Sequence, residues 1–246
     1  MSRMAQAVIM LLFGGAVIKA TVTDVFLRYV KEGLRPFLLL AGILLVAAAL
    51  MTMWYDLRAA RRGTPEPDGD HGHGHDDGHG HGHHEPRVGW LLLLPVLGLL
   101  LISPPALGSF AAGQTGSVGL SAASDYPPLP EGDPVEVTLL DYASRAIFDG
   151  GRSLTGRNVK LTGFITPGPD GKPMLARIVL ACCAADGRPI KIGLTGVPID
   201  TPPDSWVEVV GVYSNQVGTD PVNQAQVAYF EIRSWQEIDQ PKQPYD

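Results

Sequence analysis

The sequence predicts a membrane protein of the α+β class, with three N-terminal transmembrane helices followed by a small soluble β-barrel domain of the OB-like kind. Three observations lead there. Residues 36–55 and 88–107 are two twenty-residue runs without a single charge. As helices each would be about 30 Å long, which matches a hydrocarbon core. The second half of the chain is polar and acidic, with ten Lys+Arg against sixteen Asp+Glu over residues 125–246, a net of −6. That half also breaks into short alternating runs separated by turn residues, as a compact all-β domain would.

The apolar region occupies residues 1–107, with helices expected at about 5–26, 36–55 and 88–107. The first span is the shortest; Lys19 can snorkel, so the helix can continue toward Phe26. Pro95 predicts a kink in the third span, and Pro104-Pro105 end it. Trp54, Tyr55 and Trp90 mark one membrane interface, and Arg58, Arg61, Arg62 and Arg87 flank the loop between the second and third spans. The positive-inside rule therefore places that loop in the cytoplasm and the acidic domain outside, in a multi-pass cell-membrane protein. Lys19, Arg28, Lys31 and Arg35 weigh against this orientation, because they then lie outside. Small residues at Gly14-Gly15, Ala41-Gly42 and 47–49 allow close helix packing against a partner.

The loop at 66–87 holds all seven histidines of the chain, in the run HGHGHDDGHGHGHH. Imidazole is the commonest side-chain ligand for zinc, copper and nickel. His71, His73, His75, His79, His81, His83 and His84, with Asp76 and Asp77 between them, are candidate ligands for a loosely bound, exchangeable divalent ion. Glycine spacing leaves the tract floppy, so each capture carries an ordering cost and release is fast. The alternative is a low-complexity linker whose histidines do nothing essential. Concentrating every histidine here excludes a Ser-His-Asp triad or an HExxH zinc site elsewhere. The acidic surface disfavours nucleic acid.

Residues 108–134 are rich in Gly, Ser, Ala and Pro and read as a linker that lifts a domain, residues 135–240, off the membrane. Within the domain, 139–148 has helical spacing, with Leu139, Tyr142, Ala143, Ala146 and Ile147 on one stripe. Strands are expected at 159–165, 174–183, 189–194, 206–213 and 226–232. Gly163 and Gly211 occupy the same place in two Val-x-apolar-x-Gly patterns and suit a bulge or a tight barrel bend.

Cys182 and Cys183 are the only cysteines. If the strand runs on from 174, Cys182 joins the core face with Ile178 and Leu180. Cys183 then joins Arg177, whose charge favours a thiolate. Three readings remain open. Cys182 is a small buried hydrophobe; the pair forms a vicinal disulfide, as an oxidising compartment would favour; or the thiols, with Asp186, bind a soft metal. The last requires the chain to turn at 184–187.

The order of apolar helices, His-rich loop and further helix, followed by Gly163-Phe164, Arg177, Cys182-Cys183-Ala184-Ala185-Asp186, Pro189, Trp206 and Gly211, resembles the YcgQ-like bacterial membrane proteins. Leu34-Arg35-Pro36 departs from that family's aromatic-His-Pro-Arg signature. The resemblance implies an accessory subunit that pairs with a larger multi-helix permease, in the context of zinc or other divalent-metal homeostasis. It carries over no catalytic residue. No P-loop, dinucleotide fingerprint or paired-carboxylate motif is present, so no enzymatic activity and no organic cofactor is expected. Two competing functions are a structural or assembly protein that docks a barrel on a membrane partner, and a thiol-redox membrane protein using Cys182 and Cys183.

Overall fold

The computed structural model describes residues 3–61, 98, 105–122 and 125–246. The described chain forms two compact units. One contains the residues up to Val25 and those from Gly33 onward; the other joins the short segment Phe26–Glu32 to Pro105–Asp246. The His-rich tract and nearly all of the expected third span lie outside the described residues.

The first unit is a pair of helices, α1 (Arg3–Val22) and α2 (Arg35–Arg61). Both are long and apolar enough to cross a membrane. Large apolar side chains on α2, among them Phe37, Ile43, Leu44, Met51 and Tyr55, are exposed among the described residues. Two of the small residues, Gly14 and Gly42, let α1 and α2 approach each other closely. A methyl on Gly42 would lie 2.7 Å from Ile18 and 3.2 Å from the Gly14 carbonyl.

The second unit is built on a closed five-stranded barrel. Its strands are β2 (Val159–Pro167), β3 (Pro173–Val179), β4 (Arg188–Gly196), β5 (Trp206–Thr219) and β6 (Gln226–Ile238). They are ordered β2-β3-β4-β6-β5, and β5 closes back on β2. All neighbours are antiparallel except β4 and β6. A two-residue strand, β1 (Val135–Glu136), adds to β2 in parallel. Closure of β5 on β2 gives each of the five barrel strands a partner on both sides, which an open five-stranded sheet could not do.

α4 (Leu139–Phe148) forms where the apolar stripe predicted it. The Thr138 hydroxyl caps its N-terminus by accepting from the Asp141 amide at 3.1 Å. Leu139, Tyr142, Ala143 and Ala146 are buried against the barrel, and the Tyr142 ring meets Phe230 edge-on at 5.3 Å. The Tyr142 hydroxyl donates to the Tyr229 carbonyl at 2.6 Å, so the one polar atom this ring carries inside is satisfied.

The two patterned glycines sit at close approaches. A methyl at Gly163 would lie 2.6 Å from the Ala176 carbonyl of β3. At Gly211 it would run into the Glu231 carbonyl of β6, where the β5–β6 register shifts between Val210 and Gly211. The bulge and the bend are the same device: both let strands cross closely enough for a small barrel to close.

The expectation of a linker over 108–134 is corrected for its first part. Residues 105–122 form a strap packed on the barrel, with a short helix, α3 (Ser109–Gln114). Ala112 is fully buried against Phe164 and Trp206. Both Ser109 polar groups donate to the Asp204 carboxylate at 2.6 Å. The amide and hydroxyl of Ser117 donate to Asp220 at 3.0 and 2.7 Å, and Lys191 donates to the same carboxylate at 3.0 Å. Gly and Ser composition signals freedom in an isolated chain; hydrogen bonds to two carboxylates, exposed Asp204 and buried Asp220, remove it here.

Candidate metal centre

β3 ends at Val179, not at Cys183 as the sequence suggested. Ile178 and Leu180 are buried as expected, but the next residues leave the barrel wall. Ala184–Asp186 form a single 3₁₀ turn before β4 begins at Arg188. Strand alternation therefore stops short of the cysteines. Cys182 is exposed and Cys183 half-buried, which removes the reading of Cys182 as a buried hydrophobe. The two sulfurs are not bonded to each other.

The turn is organised by one carboxylate. Asp186 Oδ1 accepts the Ala181 amide at 2.9 Å. Its Oδ2 accepts the Cys182 amide at 2.9 Å, the Cys183 amide at 3.2 Å and the Cys182 thiol at 2.9 Å. In return the Asp186 amide donates to the Cys183 sulfur, and Cys183 takes an extended conformation at φ −152° and ψ 169°. The two sulfurs and a carboxylate oxygen consequently lie within 4.8 Å of one another. Two adjacent residues that would point apart in a strand converge because the chain turns back on Asp186.

The electrostatics follow from that geometry. The Cys182 thiol donating to Asp186, with the amides behind it, holds the carboxyl down to about 2. The same hydrogen bond, then the neighbouring Cys183, pushes the Cys182 thiol up to about 11, because losing its proton would set a thiolate against a carboxylate. The expectation that Arg177 favours a thiolate is overturned. Its guanidinium is committed elsewhere, to Asp246 at 2.7 Å and the Gln243 carbonyl at 2.9 Å, with its plane 5.7 Å from the Trp206 ring. Cys182, Cys183 and Asp186 are brought together; Arg177 is not one of them. His71, His73, His75, Asp76, Asp77, His79, His81, His83 and His84 lie outside the described residues.

A second element touches the turn, and the sequence reading did not single it out. In the segment Phe26–Glu32, Val30 forms an antiparallel bridge with Cys183. The Lys31 amide donates to the Cys182 carbonyl at 3.0 Å, and the Ala184 amide donates to the Tyr29 carbonyl at 2.7 Å. The Lys31 ammonium reaches the Leu180 carbonyl at 3.3 Å. Phe26 and Leu27 are buried, and Tyr245 donates to the Arg28 carbonyl at 2.9 Å. The only sequence signal was the β-prone pair Tyr29-Val30, too short to read as a strand.

Comparison with the curated proteins and with the solved structures returns no match. Residues 141–245, which run from the first turn of α4 through the whole barrel and include Cys182, Cys183 and Asp186, match the DUF1980 C-terminal domain, a bacterial family.

Proposed function

We propose that this protein is a membrane-anchored accessory subunit of a permease complex that handles a thiophilic divalent cation, zinc first among them, and that the cation binds at Cys182, Cys183 and Asp186. The convergence of two sulfurs and a carboxylate oxygen within 4.8 Å carries this reading. Ligands around tetrahedral zinc with bonds near 2.3 Å stand about 3.8 Å apart, so a small contraction suffices. Two thiolates select soft and borderline metals over magnesium or calcium. Three protein ligands at an exposed turn leave a position open for water or for a ligand from a partner, which suits hand-off and not a closed structural site. The imidazole tract is proposed as a weaker collector of the same ions, and the permease as the multi-helix partner the resemblance implies. We read the chain as a binding protein with no enzymatic activity and no organic cofactor. The strand order, with its single parallel pair, supports an OB-like barrel.

The membrane arrangement is part of the proposal. Phe26–Glu32 joins α1 to α2 and belongs to the same compact unit as the barrel. If α2 crosses the bilayer, the return crossing expected from the uncharged run that begins at residue 88 ends before the strap, which starts at residue 105. This sets the imidazole tract, with Arg58, Arg61, Arg62 and Arg87, on the face opposite the barrel. The positive-inside rule makes that face cytoplasmic and the barrel extracytoplasmic.

Cobalt(II) titration of the reduced full-length protein in detergent tests the site. A thiolate-to-cobalt charge-transfer band saturating at one equivalent, and lost in the Cys182→Ser/Cys183→Ser variant, is expected. Histidine ligation gives no such band, so the imidazole tract does not confuse the readout. A reduced wild-type protein without the band overturns the reading. If oxidation and reduction of the pair, and not metal, changed partner function, the thiol-redox alternative would stand. For the tract, calorimetry on a peptide spanning 66–87 is expected to show micromolar or weaker zinc binding; no heat with zinc, nickel or copper would leave the structural-linker alternative.

A further inference from the structure

We infer that the segment joining the two apolar helices is a clamp on the metal centre, so that cation occupancy at Cys182, Cys183 and Asp186 and docking of Tyr29, Val30 and Lys31 are thermodynamically coupled. The inference rests on the proposed metal site and adds its regulation. The clamp grips residues 182–184, and two of these, Cys182 and Cys183, are proposed ligands. Lys31 holds the carbonyl of Cys182, Tyr29 holds the amide of Ala184, and Val30 stands opposite Cys183 between them. With the hydrogen bonds on either side of it, the Val30–Cys183 pair is of the kind in which facing side chains approach most closely, Cα atoms about 4.5 Å apart. Val30 thus stands beside the Cys183 side chain and restrains its extended backbone, the conformation that directs the sulfur toward Asp186.

Leu107 of the strap reaches the end of the turn at Gly187, while the segment 29–31 is what holds residues 182–184. The Asp186 hydrogen bonds fix the turn internally, but Ala181, Cys182 and Ala185 are exposed and the barrel wall ends at Leu180. A turn released from the clamp samples more conformations, and a cation must then order it on binding. Docked, the turn presents its ligands already converged. Coupling of this kind is reciprocal: whatever factor the clamp adds to cation affinity, the cation adds to clamp docking. Because the clamp is the covalent link between α1 and α2, the state of the metal centre is felt at the root of the helix pair. That gives an accessory subunit a physical means of reporting occupancy to a membrane partner.

Hydrogen exchange of the full-length reduced protein, with and without cobalt(II), tests this. The Lys31 and Ala184 amides are expected to exchange at least fivefold more slowly when the cobalt–thiolate band is saturated. In parallel, Lys31→Pro, which removes the amide donor to Cys182, is expected to weaken cobalt binding at least fivefold while the band persists at higher cobalt. Unchanged exchange of both amides in a protein that shows the full band overturns the coupling and leaves the metal site standing. An absent band in the wild-type protein removes both. Should Lys31→Pro fail to fold, the exchange measurement on the wild-type protein decides alone.

Discussion

Replacing Asp220 with alanine is expected to destabilise the barrel by about 3–5 kcal/mol, because it leaves a buried ammonium without a counter-charge. The Lys191 side chain is 8 % exposed and that of Asp220 is fully buried, with nitrogen and oxygen 3.0 Å apart. Asp220 also accepts both polar groups of Ser117 and the Val222 amide at 2.8 Å. Losing it therefore unpins the strap as well as the ion pair. Burial alone would raise the Asp220 carboxyl, but the hydrogen bonds from Ser117, Val222 and Lys191 outweigh it and hold the group down to about 2. The sign follows. The folded state binds this proton less readily than the unfolded chain, so the stabilisation is complete above about pH 4 and fades as pH falls through about 2, a loss on the order of 2 kcal/mol. Denaturant unfolding of the full-length protein at pH 7 and pH 3 measures both effects. A paired replacement, Lys191→Met with Asp220→Leu, should recover only the part due to the stranded charge, because Ser117 and Val222 still lose their acceptor. An Asp220→Ala variant that unfolds at the wild-type denaturant concentration would show that the network contributes little.

Gly211→Ala is expected to destabilise the barrel by about 2 kcal/mol or more, or to prevent closure altogether. The added methyl would occupy the space of the Glu231 carbonyl and come within 2.9 Å of Phe230. Backbone on a paired strand cannot yield as the end of a flexible side chain can, and this position is where β5 changes register against β6. Gly119→Ala is the control: nothing lies within 4 Å of a methyl there. It should stay within about 0.5 kcal/mol of the wild type. Thermal unfolding of the two variants side by side separates a specific close approach from a general cost of removing glycine. Equal melting temperatures for both would remove the account of barrel closure.

Local patterns in the sequence were sufficient for α4, whose apolar stripe and Thr138 cap fix both its face and its start. They were also sufficient for the existence of the five barrel strands and for the two glycines, although β5 and β6 each run six residues beyond the expected end and β3 stops four short of it. Each of these depends on periodicity or on a residue's own steric limits, and both are visible within a dozen residues. The proposed ligands Cys182, Cys183 and Asp186 could be named from their types, but their convergence could not. Alternation argues that neighbours point apart, and only the turn on Asp186, held by three amides, reverses it. Arg177 was misplaced for the same reason: strand phase extrapolated past Val179 gave it a thiol partner, whereas tertiary contacts gave it Asp246. The strap and the clamp were out of reach altogether. Ser117 meets its carboxylate 103 residues away, and Lys31 meets the Leu180 carbonyl 149 residues away. Composition reports how freely a segment moves when nothing holds it. What holds it is decided by groups that only the closed barrel brings within hydrogen-bonding distance.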